Sequence, residues 1–436
     1  MNFRDVNIFD LNYEYCSENL GLLNLPPENN PRKGIVFRIL SLFKGILRYG
    51  IFRKASKHKI EKNSILFFVM ANNEYNSIKP ISEELPNSFV FGKDQFKNGY
   101  PLGKIYLFSL IFIPIVFWKF LFCRKAYHKR SFSYAFDGFC LAYSSAYVLK
   151  KYLLRLQPKN IIISNQLGCF HRSLAFIAKE LNIETIYMQH ASVTEGYDNL
   201  NMFSTILLEG EDSLNKYQNN GTKNKKIFLV GMPKSDRSFL NIKKFTGINT
   251  IGICTNGMDD ILLFSKLISS LKEKYPNLKI NVRPHPADRR KEDWLNIATK
   301  YDCGFSDVST IESFDFLRNM DLIISGDSNI HLESALLNIP SIYFDPHSLN
   351  LDWYDFVKND LVYYASDISS AHDFILTISF SGQNVRSKAK YYVESVNSIF
   401  DGNSKELATK IIQGDKIEKF FNIFTDNYSN IIFRIK

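Results

Sequence analysis

Short apolar runs rich in β-branched residues alternate with longer segments whose apolar residues recur at helical spacing. The apolar runs predict strands at Ser64–Met70, Asn160–Ser164, Thr185–Gln189, Thr205–Glu209, Lys226–Val230, Thr250–Cys254, Lys279–Arg283, Leu322–Ser325 and Ser341–Phe344. The periodic segments predict helices at Phe170–Leu181, Ile261–Tyr275, Lys291–Tyr301, Thr310–Asn319 and Asn329–Asn338. Such alternation is typical of parallel sheets covered by helices.

A polar stretch at residues 233–248 interrupts the alternation. A chain of 436 residues is also too long for one ordinary core, so we expect an α/β fold of two domains. Their predicted limits are 1–240 and 241–390. Residues 391–436 are predicted to be helices, and whether they cross back to the first domain stays open. Domains of this kind bind ligands beyond the carboxyl ends of their strands.

The net charge of +10 is concentrated in one segment. Ten Lys or Arg lie between Arg32 and Lys62 against Glu61 alone, so this segment carries +9. A nucleic-acid binder usually spreads its cations over a groove, so the distribution argues against a nucleic-acid partner. Apolar residues interleave with the cations, which predicts a basic amphipathic helix lying on anionic lipid. A core helix with a solvated basic face is the alternative.

A second apolar stretch, Ile105–Trp118, has fourteen residues without a charge. A spanning helix needs about 20 apolar residues, so we expect an interfacial patch or a buried element, and a peripheral protein. The six cysteines include no C-x-x-C pair, and the N-terminus has no apolar core of a signal peptide. These features predict reduced thiols and a cytoplasmic location.

The strongest local motif follows the predicted strand Leu322–Ser325. A glycine turns the chain there, and Asp327 or Ser328 is expected to cap the next helix. The free N–H groups and dipole of a helix start suit a diphosphate or phosphodiester. An ordinary turn with a plain N-cap is the alternative. The candidate ligand-binding residues of this motif are Ser325, Gly326, Asp327, Ser328, Asn329 and Glu333.

A second motif, Arg283-Pro284-His285-Pro286, ends the predicted strand one unit earlier. Two prolines make the loop rigid and hold the imidazole of His285 in one direction. Arg283 and His285 therefore supply cationic or hydrogen-bonding groups beside the phosphate site, and Pro286 shapes the loop. Thr255 and Asn256, after the first strand of the second domain, are further candidates for ligand contact.

Together these motifs resemble the donor-site signature of bacterial surface-polysaccharide transferases of the GT-B fold. Relatives of that group include polysialyltransferase-like and Kdo transferases and the CDP-glycerol glycerophosphotransferases of teichoic acid synthesis. A further match is Gln189-His190-Ala191-Ser192, where such enzymes have a Gln-His-Gly or Trp-His-Gly loop; here Ala191 replaces the glycine. The resemblance covers residues 160–360. It implies two Rossmann-like domains facing a central cleft, an acceptor domain followed by a nucleotide-sugar donor domain.

The resemblance also implies direct displacement at the anomeric carbon. His190 is the implied general base, with Glu195 or Asp198 as substitutes, because a neutral imidazole accepts a proton at neutral pH. The loop after residue 283 and the helix start near residue 328 would neutralise the departing phosphate. No DxD-type motif stands convincingly at a strand end. We therefore expect no metal and no cofactor apart from the nucleotide-sugar substrate.

The expected function is glycosyl transfer to a growing surface polysaccharide or glycolipid, such as capsule or lipopolysaccharide. The His-Pro motif favours a CMP-linked acidic sugar as donor, and an oligosaccharide or lipid-linked glycan is the expected acceptor. The protein would then lie at the inner face of the plasma membrane. Two alternatives stay open: a CDP-polyol phosphotransferase of teichoic-acid-like polymers, and a non-transferase of the same fold such as a sugar-nucleotide epimerase.

Overall fold

The computed structural model describes residues 6–24, 32–49, 61–92, 100–381 and 384–436. The strands are β1 (Ile65–Val69), β2 (Ser88–Gly92), β3 (Asn160–Ile163), β4 (Glu184–Met188), β5 (Thr205–Leu208), β6 (Lys226–Leu229), β7 (Thr250–Thr255), β8 (Lys279–Pro284), β9 (Gly304–Phe305), β10 (Leu322–Ser325), β11 (Ser341–Phe344), β12 (Tyr363–Ala365), β13 (Phe421–Thr425) and β14 (Ile431–Ile435).

The α-helices are α1 (Ile8–Leu11), α2 (Tyr13–Cys16), α3 (Gly34–Tyr49), α4 (Asn72–Ser82), α5 (Leu102–Ser109), α6 (Ile113–Phe122), α7 (Ala126–Leu156), α8 (Cys169–Glu180), α9 (Glu211–Asn219), α10 (Ile261–Lys274), α11 (Lys291–Lys300), α12 (Ser313–Leu317), α13 (Ile330–Leu336), α14 (Ile368–Ser381) and α15 (Ser404–Gln413). Short 3₁₀ helices lie at Leu22–Asn24, Leu110–Phe112, Pro233–Asn241, Lys388–Tyr391 and Glu418–Phe420.

Within the described residues, the first sheet has the strand order β13-β14-β6-β5-β4-β3-β1-β2. All neighbours pair in parallel except β13 and β14, which are antiparallel. Every residue of β1, β3 and β5 is buried, as expected where helices cover a parallel sheet on both faces. Since β2 lies on one side of β1 and β3 on the other, the strand order reverses between β1 and β3.

The second sheet, in the same described part of the chain, has the order β12-β11-β10-β7-β8-β9 and is parallel throughout. Its strand order reverses between β7 and β10. Helices α10, α11 and α14 cover one face, where Ile251 and Ile253 share a buried cluster with Leu267 and Trp294. Helices α12 and α13 pack on the other face. The molecule therefore has two sheets of the Rossmann type, as the sequence predicts.

The predicted strands are confirmed to within one residue at each end, and the helices α8, α10 and α11 likewise. The helix predicted over residues 310–319 is shorter, because only Ser313–Leu317 is helical. The strands β2, β9 and β12, which lie at sheet edges, were not predicted from the sequence, nor was α7, which is kinked at Ala135. Helix α7 packs against α8, which contacts β3 and β4, and α3, α5 and α6 pack against α7.

The prediction that residues 391–436 form only helices is wrong for the last part of the chain. Although α15 is a helix, residues 421–435 form the hairpin β13–β14, and β14 pairs with β6 of the first sheet. Without β14, the N–H and C=O groups of β6 would form an open edge, which proteins generally protect. The buried side chains of Ile432 and Phe433 anchor this pairing.

The basic amphipathic helix predicted within Arg32–Lys62 is present as α3. Residues 50–60, with Arg53, Lys54, Lys57 and Lys59, lie outside the described residues. The predicted apolar stretch Ile105–Trp118 spans α5, a 3₁₀ turn and α6. In the described chain, this stretch extended to Leu102–Phe122 is long and apolar enough to cross a membrane, by length and composition alone.

The β14–β6 pairing leads to a stability prediction. We expect Ile432→Ala to lower the free energy of unfolding by about 2–5 kcal/mol, because Ile432 is fully buried and its loss leaves a cavity. The matched control is Ile423→Ala in β13, whose side chain is half exposed and should cost far less. Urea denaturation measures both. If the two variants lost the same free energy of unfolding, Ile432 of β14 would not be part of the first domain's hydrophobic core.

Candidate functional site

A cleft of about 660 Å³ lies where the strand order of the second sheet reverses. Loops after β7, β8 and β10 form one wall, as the rule for ligand sites in parallel sheets predicts. Asn73 and Asn76 of α4 approach from the first domain. The sequence-predicted residues that line the cleft are Thr255, Asn256, Arg283, His285, Pro286, Asp327, Ser328, Asn329 and Glu333.

Ser325 and Gly326 do not line the cleft but lie just behind it. Ser325 is fully buried at the end of β10. Gly326 packs against Asp259, so closely that a Cβ atom on the glycine would lie 2.1 Å from the Asp259 Oδ1 atom. A side chain at position 326 would therefore displace Asp259. The glycine permits this close approach, which keeps the two turns of the β7–β10 crevice together.

Asp259 lies in the turn after β7, behind the cleft and against Gly326. Its Oδ2 atom accepts the Asn256 N–H at 2.8 Å, which shapes the turn after β7. Burial, together with the charges of Asp288 and Asp327, raises the pKa of Asp259 to about 7. The cap of α10 is Asp260 instead, which accepts the N–H groups of Leu262 and Leu263.

Arg283 is a structural cation of the cleft wall. Its guanidinium donates to the Ser306 hydroxyl at 2.7 Å and to the Ile311 carbonyl at 2.8 Å, and it lies over the Phe316 ring. These bonds fix the loop after β9, while the positive charge stays beside the cleft. The positive charge of Arg283 was predicted from the sequence, but its hydrogen bonds to the loop after β9 were not.

One hydrogen bond defines the tautomer of neutral His285. Its Nδ1 atom accepts the Ala287 N–H at 3.1 Å, so the other ring nitrogen, Nε2, carries the proton of the neutral ring. The side chain is exposed to the cleft. Desolvation lowers the pKa of His285. His285 therefore presents an N–H donor to a ligand.

The start of α13 differs from the prediction in its cap. The helix begins at Ile330 with Asn329 in the N-cap position, and the Asn329 side chain forms no cap hydrogen bond. Asp327 does not cap it, because its carboxylate accepts the Trp353 N–H at 3.1 Å. Burial raises the pKa of Asp327 to about 6. The Ser328 hydroxyl accepts the Ile330 N–H at 3.4 Å, as the sequence leads one to expect.

His190 lies in the loop after β4, on the first-domain side. Its Nδ1 atom is hydrogen-bonded to the Ser164 carbonyl. A carbonyl oxygen only accepts, so Nδ1 carries the proton and Nε2 keeps a free lone pair. Burial lowers the pKa of His190 to about 4, although the charge of Glu74 acts in the opposite direction. The ring is therefore neutral at neutral pH.

The two predicted substitutes for His190 are placed elsewhere. Glu195 is exposed, and Asp198 forms an ion pair with Arg172 at 2.8 Å. Neither lines the cleft. A carboxylate held by an arginine is a poor proton acceptor. His190 does not line the cleft either, but its loop is joined to the start of α13 by the hydrogen bond between Ser192 and Asn329.

A buried polar cluster, formed by Glu74, Asn165 and His171, lies where the first sheet reverses its strand order. Glu74 follows β1 and Asn165 follows β3; the Glu74 carboxylate binds His171 at 3.1 Å, Asn165 at 3.1 Å and the Met70 N–H at 2.6 Å. Burial alone would raise the pKa of Glu74, but the charge and hydrogen bond of His171, the Met70 N–H and the charge of His190 lower it to about 2.

This cluster was not predicted from the sequence, although a signal for it exists. Asn165 directly follows a predicted strand, and Glu74 lies shortly after another. Only the strand order, which the sequence does not give, shows that the two strands are neighbours. Among the residues that the structure describes, no three His, Cys, Asp or Glu side chains are grouped to hold a metal ion. Metal-independent chemistry stays a prediction.

Two contacts join the domains beside the cleft. The Ser192 hydroxyl donates to the Asn329 side chain, which links the loop of His190 to the start of α13. Lys234 and Glu333 form an ion pair at 3.8 Å. Both contacts bring the first-domain loop within reach of a ligand bound in the second domain.

Two opposed Rossmann-type domains with a cleft between their strand ends define the GT-B fold, and solved structures agree. A protein from Listeria monocytogenes assigned as a UDP-N-acetylglucosamine 2-epimerase superposes with a TM-score of 0.54 at 10% identity, over 82% of this chain and 100% of that one. The UDP-GlcNAc 2-epimerase from Neisseria meningitidis, bound to UDP-GlcNAc, gives 0.53 at 12% identity, over 81% and 100%. At such identities the likeness establishes the fold alone.

The wall teichoic acid polymerase TagF superposes with a TM-score of 0.49 at 12% identity, over 87% of this chain and 96% of that one. A protein family of unknown function, DUF354, matches residues 249–406, which is less than half of the chain. No curated protein matches the sequence. The chain thus has the GT-B fold, and its second domain resembles a family without an assigned activity.

Glu209, at the end of β5, provides a pH test of this site. Burial raises its pKa to about 7 despite the charge of Lys234. Between the ordinary pKa of Glu and this value the folded state binds more protons than the unfolded state, so stability falls as the pH rises. When the pH is raised from about 5 to about 8, we expect the free energy of unfolding of Glu209→Gln to increase relative to that of the wild type by on the order of 2 kcal/mol, because only the wild type has this titrating group.

Urea denaturation at the two pH values measures this gain. Glu292→Gln, on the exposed side of α11, is the matched control and should show no such gain. A Glu209→Gln variant whose stability follows the wild type at both pH values would contradict the raised pKa.

Proposed function

We propose that this protein is a glycosyltransferase that moves a sugar from a nucleotide-activated donor to an acceptor hydroxyl. The observation that carries the proposal is the cleft, which is lined by the phosphate-compatible groups of the second domain and, on the first-domain side, by Asn73 and Asn76 of α4, the helix that also carries Glu74. The donor nucleotide binds at the β7–β10 crevice. A CMP-linked acidic sugar is the proposed donor, and an oligosaccharide or a lipid-linked glycan of a surface polymer is the proposed acceptor.

Donor binding rests on His285, Asn256 and the turn before α13. His285 donates from Nε2, and the guanidinium of Arg283 adds positive charge behind it. The Asn256 side chain donates to the Asp327 carbonyl at 3.1 Å and thereby ties the β7 turn to the β10 turn. Fixed donors aimed at a departing phosphate stabilise its charge without reorganisation.

His190 is the proposed base. With Nδ1–H held by the Ser164 carbonyl, Nε2 accepts the proton of the acceptor hydroxyl as the new glycosidic bond forms and the bond to the nucleotide phosphate breaks. The negative charge of Glu74 stabilises the imidazolium that results. Glu74 is held in its charged form by His171, so its charge is available throughout the reaction.

The same cleft could serve epimerisation of a sugar nucleotide, and the observation in favour is the superposition with UDP-GlcNAc 2-epimerases. Transfer of a polyol phosphate from a CDP-polyol would also use an activated hydroxyl. The three reactions are separated by supplying CMP-N-acetylneuraminate, CDP-glycerol or UDP-GlcNAc. Nucleotide release on adding a glycan acceptor indicates transfer, whereas conversion of UDP-GlcNAc with the nucleotide still attached indicates epimerisation.

Nucleotide binding is the first prediction of this proposal. We expect CMP, CDP, UDP or GDP to raise the Tm of the protein, because a ligand that binds only the folded state stabilises it. Asn256→Ala and His285→Ala should reduce that shift, corresponding to a loss of about tenfold or more in affinity for hydrogen bonds to a charged group. His347→Ala, an exposed histidine outside the cleft, is the control. If no nucleotide shifts the Tm, the donor site is wrong.

Catalysis by His190 is the second prediction. We expect His190→Ala to lower kcat by about 10²-fold or more and to leave the nucleotide-induced Tm shift intact, since the base contacts the acceptor and not the donor. His128→Ala, an α7 histidine stacked on Phe9, is the control. Turnover retained by His190→Ala would eliminate this assignment.

Glu74→Gln tests the supporting charge. Because the Glu74 carboxylate raises the pKa of His190, its loss should lower kcat with little change in the KM for the donor. The acid limb of the pH–rate profile should also move to lower pH. A fall in kcat with an unmoved acid limb would mean that Glu74 acts only by holding the fold.

A further inference from the structure

Two apolar stripes at helical spacing face away from the protein. Val36, Leu40, Phe43 and Leu47 lie along α3 at intervals of four, three and four residues, and all are exposed, Leu47 by 84%. The spacing repeats in the second stripe, which runs from the 3₁₀ turn along α6 and consists of Ile111, Ile115, Trp118 and Phe122.

The opposite faces of these helices are fixed to the core. Gly45 of α3 lies against the Tyr106 ring of α5, which would be 2.1 Å from a Cβ atom at that position. Phe112 and Val116 are buried in the cluster that includes α7. The helices therefore cannot simply rotate to hide their stripes. An amphipathic helix of a water-soluble surface turns its apolar side inward, so this orientation needs a partner.

Cations predominate around the stripes, although two of them pair with acids of neighbouring elements, Arg38 with Asp137 at 3.7 Å and Lys125 with Glu18 at 2.9 Å. Residues 32–49 and 100–136 contain eleven Lys or Arg and no Asp or Glu. The cations are Arg32, Lys33, Arg38, Lys44, Arg48, Lys104, Lys119, Arg124, Lys125, Lys129 and Arg130. Apolar stripes flanked by cations match a surface that is apolar inside and negative at its boundary, as an anionic lipid bilayer is.

We propose that α3 and α6 form one docking surface for the anionic face of a lipid bilayer. The stripes insert among the acyl chains near the headgroups, and the flanking cations contact lipid phosphates. The proposal rests on the helical layer outside α7 and does not depend on the chemistry of the cleft.

The surface lies in the plane of the membrane and does not span it. The stretch Leu102–Phe122 is long enough to cross a bilayer, but a spanning helix has lipid around it. Here Ile105, Phe112 and Val116 face the protein core, and none of these side chains is more than 6% exposed. These side chains hold one face of the stretch against the protein, so lipid cannot surround it.

The first experiment is flotation of the full chain with vesicles of phosphatidylcholine alone or with phosphatidylglycerol. We expect binding to the anionic vesicles, weakened by salt. The variant Leu40→Ser, Leu47→Ser, Trp118→Ser and Phe122→Ser should reduce partitioning by about tenfold or more, because each side chain loses its burial in lipid. All four residues are exposed, so folding should persist, which circular dichroism checks.

The matched control replaces four exposed apolar residues outside the surface: Leu262→Ser, Leu349→Ser, Phe380→Ser and Ile399→Ser. It should bind vesicles as the wild type does. Equal loss in both variants, or no loss in the first, would overturn the proposal. So would a stripe variant that changes the oligomeric state in light scattering while vesicles fail to bind, since the stripes would then meet a second copy.

Trp118 reports the depth of insertion. Its fluorescence should shift to shorter wavelength on anionic vesicles and be quenched more by lipids brominated near the headgroup than by those brominated near the chain end. Trp118→Phe should remove the change, since Trp294 is buried and Trp353 lies at the cleft. Stronger quenching by deep bromines would mean a spanning helix, and no quenching would mean no insertion.

Discussion

In a parallel sheet, backbone geometry leaves an open crevice only where crossovers from neighbouring strands run to opposite sides. Each sheet of this protein has one such place, β1–β3 in the first and β7–β10 in the second. Every element of the proposed site depends on these two reversals facing each other. The contacts Ser192–Asn329 and Lys234–Glu333 join the two domains beside the cleft.

The pKa values of the buried carboxyl groups are shifted in opposite directions in the two halves of the site. Burial raises the pKa of Asp259 to about 7 and of Asp327 to about 6 in the second domain. Fewer carboxylates are then ionised where a phosphate would bind, which reduces repulsion of an anionic ligand. Across the cleft, the partners of Glu74 lower its pKa to about 2 and keep a negative charge beside a histidine. Carboxyl groups thus have raised pKa values on one side of the cleft and a lowered pKa on the other, depending on whether burial or the hydrogen-bond partners dominate.

The sequence predicted the strands well because residues buried on both faces of a parallel sheet are almost continuously apolar, which is a strong local signal. It predicted the second-domain loops for the same reason, since each follows a recognisable strand. It could not predict that β14 joins β6, because edge pairing depends on what the rest of the fold leaves open. The Glu74 cluster was missed for a related reason: Glu74 and His171 are distant in sequence, and only strand order brings them together.

The hairpin β13–β14 has a consequence for how the protein is made. The second sheet is complete by residue 365, whereas the first sheet lacks two strands until residue 435 has been added. During synthesis the chain therefore carries a complete second sheet while the edge of β6 is still unpaired. An unpaired edge invites wrong partners. The interval between residues 365 and 435 is thus the stage at which a nascent chain of this protein is most prone to misassembly.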